Sequence, residues 1–199
     1  MKIIVIGGTG LIGKAVIDEL KFRHEVLCVG HSSGEYTVNI EDPDSIKSLY
    51  QKIGSVDAVV MATGRVSFLD LTKMTNDDYH VGLKSKLMGQ INCVLSGLEY
   101  MNDFGSFTLI SGILNHDPIA MGSSAAMVNG AIEGFVTSAA IEMPRGIRIN
   151  AVSPTVVTEA LHVYASYFRG FEPVPVQRVA HAYSKSVEGL QTGQIYHAR

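Results

Sequence analysis

A glycine-rich segment near the start of the chain has the residue types and spacing of a phosphate-binding loop. It reads Ile6-Gly7-Gly8-Thr9-Gly10-Leu11-Ile12-Gly13, which fits both G-x-x-G-x-x-G and G-x-G-x-x-G. Glycines in such loops make a tight turn, let the backbone approach a pyrophosphate and pack the next helix closely on the strand. That helix begins with free N–H groups and the positive end of its dipole. We therefore predict a dinucleotide site here rather than a plain glycine-rich turn.

The segment after the second predicted strand bears on which dinucleotide is bound. Sites that prefer NAD place an Asp or Glu there, which holds the ribose 2′-hydroxyl. This chain has Gly30-His31-Ser32-Ser33 instead, with no acid before Glu35 and no Arg. A 2′-phosphate is then not repelled, and His31, Ser32 and Ser33 can donate hydrogen bonds to it. The sequence favours NADP(H) over NAD(H); the alternative for His31 is an exposed loop residue.

Short apolar runs alternate with longer amphipathic stretches along the whole chain. They predict strands at 2–6, 25–29, 36–40, 56–61, 106–110, 148–152 and 194–197, the sixth stopped by Ser153-Pro154. Helices are predicted over 11–23, from residue 42 onwards, and at about 77–100, 124–142 and 176–187. This alternation implies parallel βαβ units. We expect an α/β fold, a single Rossmann-type domain over residues 1–199, with about seven strands in a doubly wound parallel sheet and helices on both faces.

The composition excludes several classes of partner. Sixteen basic and nineteen acidic side chains give a net charge of −3, which offers no basic stripe for nucleic acid. No apolar run reaches the ~18 residues of a membrane span, and the apolar amino terminus is too short for a signal-peptide core. Cys28 and Cys93 stand far apart in apolar runs, as is typical of reduced structural thiols. We expect a cytoplasmic protein with no nucleic-acid partner, no membrane partner and no metal site.

The whole chain resembles the short-chain dehydrogenase/reductase superfamily, whose landmarks occur along it in order. The glycine loop resembles that family's glycine motif, and Val38-Asn39-Ile40 resembles its Val-Asp-Val beside adenine, with Asn39 in place of Asp. The strand before Thr63-Gly64 resembles one ending in Asn-Asn-Ala-Gly, and 147–154 nearly repeats Ile-Arg-Val-Asn-Ala-Val-Ser-Pro. Together with the reasoning above, the resemblance implies these cofactor contacts: Gly7, Thr9, Gly10, Leu11, Ile12, Gly13, His31, Ser32, Ser33, Asn39, Ile40, Ala62, Thr63, Gly64 and Pro154.

The resemblance ends at the catalytic residues, which in that family are Asn, Ser, Tyr and Lys. Aligning Ala131-Ile132-Glu133-Gly134-Phe135 with the family's Ala-Val-Glu-Gly-Leu places its Tyr-x-x-x-Lys on Ala125 and Asn129. An alanine has no proton to give, and Asn129 carries no charge that would lower the pKa of a neighbour. The family's Ser falls on Gly112, beside Ser111, and its helix Asn falls on Lys86.

Three residues are candidates to take over the catalytic work. Lys86 is expected to face the crevice, where it would bind ribose or titrate near neutral pH, unless it is a surface lysine. Ser111 follows the fifth predicted strand at the height of a substrate oxygen, unless it only caps a turn. His116 is an acid/base candidate, unless its turn is solvated. Tyr164 and Tyr167 lie in the segment that covers substrate in relatives, where packing or dimer contact is the favoured alternative.

Several functions stay open on the sequence alone. The first is an NADP(H)-binding oxidoreductase acting on an unknown small carbonyl compound or alcohol with a non-standard catalytic set. The second is a redox-silent NAD(P)-binding regulator or interaction protein, and the third is a lyase or isomerase that uses the cofactor pocket structurally. Small residues at 123–131 and the resemblance imply a homodimer or homotetramer, with packing against the sheet as the alternative.

Overall fold

Seven parallel strands make up the sheet of the computed structural model, which describes residues 1–199. The strands are β1 (Lys2–Ile6), β2 (Glu25–Gly30), β3 (Tyr36–Thr37), β4 (Val56–Met61), β5 (Met101–Ile110), β6 (Arg148–Pro154) and β7 (Ile195–Ala198). They pair in the order β3-β2-β1-β4-β5-β6-β7. After β3 the chain returns to the centre of the sheet, so the strand order reverses between β1 and β4. Parallel doubly wound sheets bind ligands at that point, beyond the carboxyl ends of the strands.

Helices cover both faces of the sheet, as the sequence predicts for a Rossmann-type fold. They are α1 (Leu11–Leu20), α2 (Pro43–Ile53), α3 (Asn76–Gly82), α4 (Gln90–Gly97), α5 (Ser123–Ala139), α6 (Leu161–Tyr164) and α7 (Val176–Glu188). A π-helical segment, Leu83–Gly89, joins α3 to α4. Local signals set several starts: the Asp42 side chain accepts a hydrogen bond from the Asp44 amide, and Thr75 and Asp78 form a capping box.

Two apolar cores lie on opposite faces of the sheet. On one face, α1 and α7 pack against the sheet through residues such as Val16, Leu20 and Tyr183. On the other face, α2, α4 and α5 bury residues such as Tyr50, Val94 and Ile132. Burial on both faces explains why the central strands read as continuous Ile and Val runs rather than alternating ones. None of the helices is both long and apolar enough to cross a bilayer.

The element boundaries differ from the sequence predictions in five places. The third strand ends at Thr37 rather than at residue 40, because Asn39 turns the edge of the sheet towards α2. The fifth strand starts five residues early, at Met101, because Met101 already pairs with Val56 before a register shift. The sixth strand runs on through Ser153 and Pro154, which the sequence analysis assigned to its stop. The first helix ends at Leu20 rather than at residue 23, and the helix predicted to reach residue 100 ends at Gly97.

Candidate functional site

The glycine loop packs so tightly that side chains are excluded from it. A Cβ atom on Gly13 would lie 2.1 Å from the carbonyl oxygen of Gly7, and one on Gly7 would lie 2.5 Å from that of Ala62. Gly7 also has a positive φ of 89°. Gly10 precedes α1 without any side-chain cap, so the first N–H groups of α1 have no side-chain partner. The loop therefore presents bare backbone donors at the switch point.

A cleft beside this loop, here called the nucleotide cleft, has a volume of about 260 Å³. It contains four of the predicted cofactor contacts, namely Gly7, His31, Ile40 and Thr63. Arg65 also lines it and forms an ion pair with Glu41, at 2.6 Å between Nη2 and Oε1. The remaining lining residues are Ile6, Gly30, Val38 and Ser85.

Three predicted cofactor residues lie outside the walls of the nucleotide cleft. Ser32 and Ser33 are exposed in the loop after β2. Asn39 is exposed too, and its Oδ1 accepts the amide of Glu41 at 3.1 Å, so its side chain serves a local turn. Glu35, the first acid after β2, turns its carboxylate back to the Cys28 amide at 3.0 Å.

A second cavity, here called the central pocket, lies beyond the ends of β5 and β6 and has a volume of about 250 Å³. Lys86 is the only charged residue among its lining. Ser111, Pro154 and Ile12 line it as well, so it adjoins the glycine loop. The complete lining is Ile12, Val66, Phe68, Lys86, Ile110, Ser111, Gly112, Ile113, Leu114, Ala125, Asn129, Pro154, Thr155, Val156, Val157, Ala160, Tyr164 and Phe168.

Lys86 faces this pocket, and Nζ donates to the backbone carbonyl of Ser111 at 2.8 Å. Burial lowers the pKa of its ammonium to about 8, because an apolar wall solvates a charge poorly. Gly64 makes this placement possible, since a Cβ there would lie 2.8 Å from carbons of Lys86. Gln90 fixes the helix: its amide bonds the Lys86 carbonyl at 2.7 Å and the backbone of Ile110 at both N and O.

Lys86 lies within the π-helical segment between α3 and α4. Such wide turns displace the side chains that follow from their α-helical positions, and they are frequent at functional sites. The sequence contains no proline in this stretch that would mark the change. The orientation of Lys86 thus depends on the wide turn, on Gly64 and on Gln90 together.

Ser111 belongs to a hydrogen-bonded cluster behind the pocket wall. Its hydroxyl donates to Oε1 of Glu133 at 2.8 Å, and Ser111 and Glu133 are both buried. Asn115 donates to Oε2 of Glu133 at 2.8 Å, and Nε2 of His116 lies 2.7 Å from the same oxygen. His116 is 41% exposed and does not line the central pocket. The edge of the His197 ring meets the His116 ring at 5.2 Å between centroids.

Ala125 and Asn129 both line the central pocket from α5, where the sequence alignment places the family's Tyr and Lys. The Asn129 amide donates to the Gly112 carbonyl at 3.2 Å, while its buried Oδ1 has no protein partner. The pocket therefore receives no acid or base from α5. Its one cationic group comes from the opposite helix, at Lys86.

A third cavity of about 200 Å³, here called the mouth, opens from the central pocket. Tyr164 and Phe168 line both cavities, as does Phe68. Tyr164 and Tyr167, the two tyrosines singled out in the sequence, are 40% and 41% exposed here. Every residue of the mouth is apolar or aromatic: Phe68, Ile119, Val163, Tyr164, Tyr167 and Phe168.

Sequence reasoning missed three residues of the site. Arg65 enters the nucleotide cleft from the loop after β4, far along the chain from His31. Gln90 gives no local signal, because its partners are backbone atoms of another element. Glu133 could have been found, since it repeats the four-residue spacing of Ala125 and Asn129 on one face of α5.

A family model described as Enoyl-(Acyl carrier protein) reductase matches residues 17–185 of the chain. The crystal structure of the protein lin1944 from Listeria innocua is 51% identical, covers 100% of both chains and superposes with a TM-score of 0.99. No curated protein sequence matches significantly.

Two more distant structures share the fold. A small-chain dehydrogenase in complex with NADPH is 23% identical, with a TM-score of 0.88 over 99% of this chain and 95% of that one. BdcA in complex with NADPH is 18% identical, with a TM-score of 0.85 over 98% and 91%. At these identities the likeness establishes the architecture alone.

Proposed function

Since this chain belongs to the short-chain dehydrogenase/reductase superfamily, we propose that it is an NADP(H)-dependent oxidoreductase. It would act as a single domain on a small carbonyl compound or the corresponding alcohol. The observation that carries this proposal is Lys86, whose Nζ lies in the wall of the central pocket, bonded to the Ser111 carbonyl at 2.8 Å. The pocket adjoins the glycine loop, so a proton donor and a dinucleotide would meet there.

The residues around the switch point fit a dinucleotide. The side-chain-free contact between Gly7 and Gly13 leaves room for a pyrophosphate, and α1 begins with uncapped N–H groups. Ile12 and Pro154 belong to the wall of the central pocket, where a nicotinamide ring would lie. The bound dinucleotide would supply the hydride for reduction or accept it for oxidation.

Lys86 would hold and move the proton. In the direction of reduction its ammonium would stabilise the charge that develops on the carbonyl oxygen and donate a proton to it. A pKa of about 8 suits this role, because the group is then mostly protonated at neutral pH and still releases its proton readily. Ser111 would position Lys86 through its carbonyl, and Glu133 would hold Ser111.

The preference for the phosphorylated cofactor rests on the charges of the nucleotide cleft. His31 and Arg65 line it, and Glu35, the acid nearest to the end of β2, is directed to the Cys28 amide instead. Arg65 would bind the 2′-phosphate once it leaves Glu41, because guanidinium groups recognise phosphate by paired hydrogen bonds.

Cofactor binding is tested by following NADPH fluorescence during titration with the protein, in parallel with NADH. We expect saturable binding of NADPH and weaker binding of NADH. If neither dinucleotide binds at millimolar concentration, the proposal is wrong.

Hydride transfer is tested by NADPH oxidation against a panel of aldehydes and ketones. Lys86→Met is the informative variant, because Met fills a similar volume without a proton or charge. The exposed neighbour Lys84, changed to Met, is the matched control. Activity that survives Lys86→Met would remove Lys86 from the mechanism.

The redox-silent reading has one observation in its favour. Ala125 and Asn129 occupy the pocket wall without any group that ionises, whereas catalytic members of the family carry Tyr and Lys there. Saturable NADPH binding combined with no turnover across the whole panel would support this second function.

We also propose a homo-oligomer. Val81, Met88 and Leu95 are spaced seven residues apart along the α3–α4 helix and are exposed by 36%, 42% and 58%. An exposed apolar stripe of this kind is typical of a helix that packs on another helix. Sedimentation equilibrium of the wild type and of Leu95→Glu tests this, with a monomeric wild type as the contrary result.

A further inference from the structure

The mouth continues the central pocket without any charged or strongly polar wall. Phe68, Tyr164 and Phe168 belong to both cavities. Beyond the mouth, another cavity of about 280 Å³ shares Ile119 with it and includes Leu69, Leu71 and Met121. An apolar path therefore leads from Lys86 to the surface.

The central pocket alone is too small for both reactants. Binding sites for whole organic ligands commonly measure roughly 300–1,000 Å³. The central pocket measures about 250 Å³, and under the proposed function part of it takes the nicotinamide. Only the reacting carbon and its oxygen would then fit beside Lys86, so the rest of a substrate would have to extend into the mouth.

The exposure of the mouth residues indicates that this space awaits a ligand. Val163, Tyr164 and Tyr167 are exposed by 54%, 40% and 41%, although they are apolar or aromatic and lie next to one another. Exposed apolar patches at the rim of a pocket are typical of ligand-binding surfaces. No ionic group lines the mouth, so nothing there would recognise a charged or sugar-like tail.

We propose that the substrate is an alcohol or carbonyl compound with a linear apolar tail, which lies in the mouth while its oxygen meets Lys86. This rests on the proposed function for the oxygen, and on the mouth alone for the tail. The tail would contribute affinity by burying methylene groups against Phe68, Val163 and Phe168.

The test is calorimetric titration of the full-length protein with straight-chain primary alcohols from propanol to octanol, with and without NADPH. Each added methylene should tighten binding about threefold to fourfold, until the tail reaches solvent. Equal affinity along the series would overturn the proposal.

Val163→Asp separates the tail site from the head site, because Val163 lines the mouth and not the central pocket. A carboxylate there should weaken octanol about tenfold or more and leave propanol unchanged. Ile141→Asp, at a residue 88% exposed and remote from the mouth, is the matched control and should bind octanol like the wild type. Val163→Thr, of nearly the same shape, should lie between the two.

Three other outcomes are informative. If Val163→Asp binds octanol as the wild type does, the tail lies elsewhere and the proposal fails. If the variant lowers the sedimentation mass while alcohols show no chain-length effect, the mouth is covered by a second copy of the chain. If NADPH does not bind but the chain-length effect and its loss in Val163→Asp are seen, the redox function fails and the apolar site stands.

Discussion

The two halves of the cleft are built from different materials. The nucleotide half relies on backbone: Gly7 and Gly13 approach other main-chain atoms so closely that no side chain fits. The substrate half relies on side chains: Lys86, Ser111 and Glu133 are held by hydrogen bonds from distant elements. A backbone site tolerates almost no change of residue type, whereas a side-chain site can be rebuilt on the same strands. The chemistry of this chain therefore diverges where side chains do the work.

The sharpest way to break this comparison is Gly13→Ala, which should have the largest effect. Its Cβ would lie 2.1 Å from the Gly7 oxygen, so the loop and the start of α1 must move. We expect NADPH affinity to fall by about a hundredfold or more, with a lower melting temperature. Fluorescence titration and thermal unfolding measure both.

The control is Gly134→Ala, also inside a helix, where a Cβ would meet nothing within 4 Å. It should stabilise the protein by about 0.5–1 kcal/mol through helix propensity. Equal behaviour of the two variants would show that the glycine loop is not a specific backbone site.

Lys86→Met should have the next largest effect, a loss of roughly 100-fold in carbonyl reduction with NADPH affinity nearly unchanged. Because the donor must be protonated, the wild-type reduction rate should also fall as pH rises above about 8, where Lys86 loses its proton. A steady-state pH profile measures this. A profile that stays flat from pH 7 to 10 would contradict the assignment.

The same variant has a predicted effect on stability. The folded-state pKa of Lys86 is lowered from 10.5 to about 8, so the unfolded chain binds more protons between those values. Stability should therefore rise with pH across that window, and the cost of the buried charge is complete below about pH 8. At neutral pH, Lys86→Met should raise the melting temperature by about 2–4 °C, since solvent near the half-buried side chain reduces the penalty. Lys84→Met should not change it.

Glu133→Ala tests whether the substrate half needs its hidden carboxylate. Ser111, Asn115 and His116 would lose their shared partner, and the buried Ser111 hydroxyl would stay unpaired. We expect a loss of about 2 kcal/mol in the free energy of unfolding, measured with urea. Glu142→Ala, at an exposed carboxylate, should cost almost nothing. A similar cost for both variants would make Glu133 an ordinary helix residue.

Arg65→Gln should have the smallest effect, confined to the nucleotide half. If Arg65 binds the 2′-phosphate, NADPH affinity should fall about tenfold while NADH affinity stays the same. Parallel fluorescence titrations with the two cofactors measure the ratio. An equal change for both would place Arg65 near a group that the two dinucleotides share, and would sharpen the comparison by leaving discrimination to the loop after β2.

The sequence by itself determined the architecture and the glycine loop. Continuous Ile and Val strands require a sheet buried on both faces, and the order of strands and helices leaves few topologies. The bounds of β1 and β4 follow from their apolar runs, and the loop follows from its glycines, because these features depend on neighbouring residues in the chain.

Only the tertiary structure decided the surroundings of the reacting centre. The partners of Lys86 are Gly64, Gln90 and Ser111, from a loop, a helix and a strand end, and nothing local in the sequence links them. Arg65 reaches the cleft that His31 lines for the same reason. The pKa of Lys86 and the apolar mouth arise from packing between separate elements, since burial belongs to the folded chain and not to a residue type.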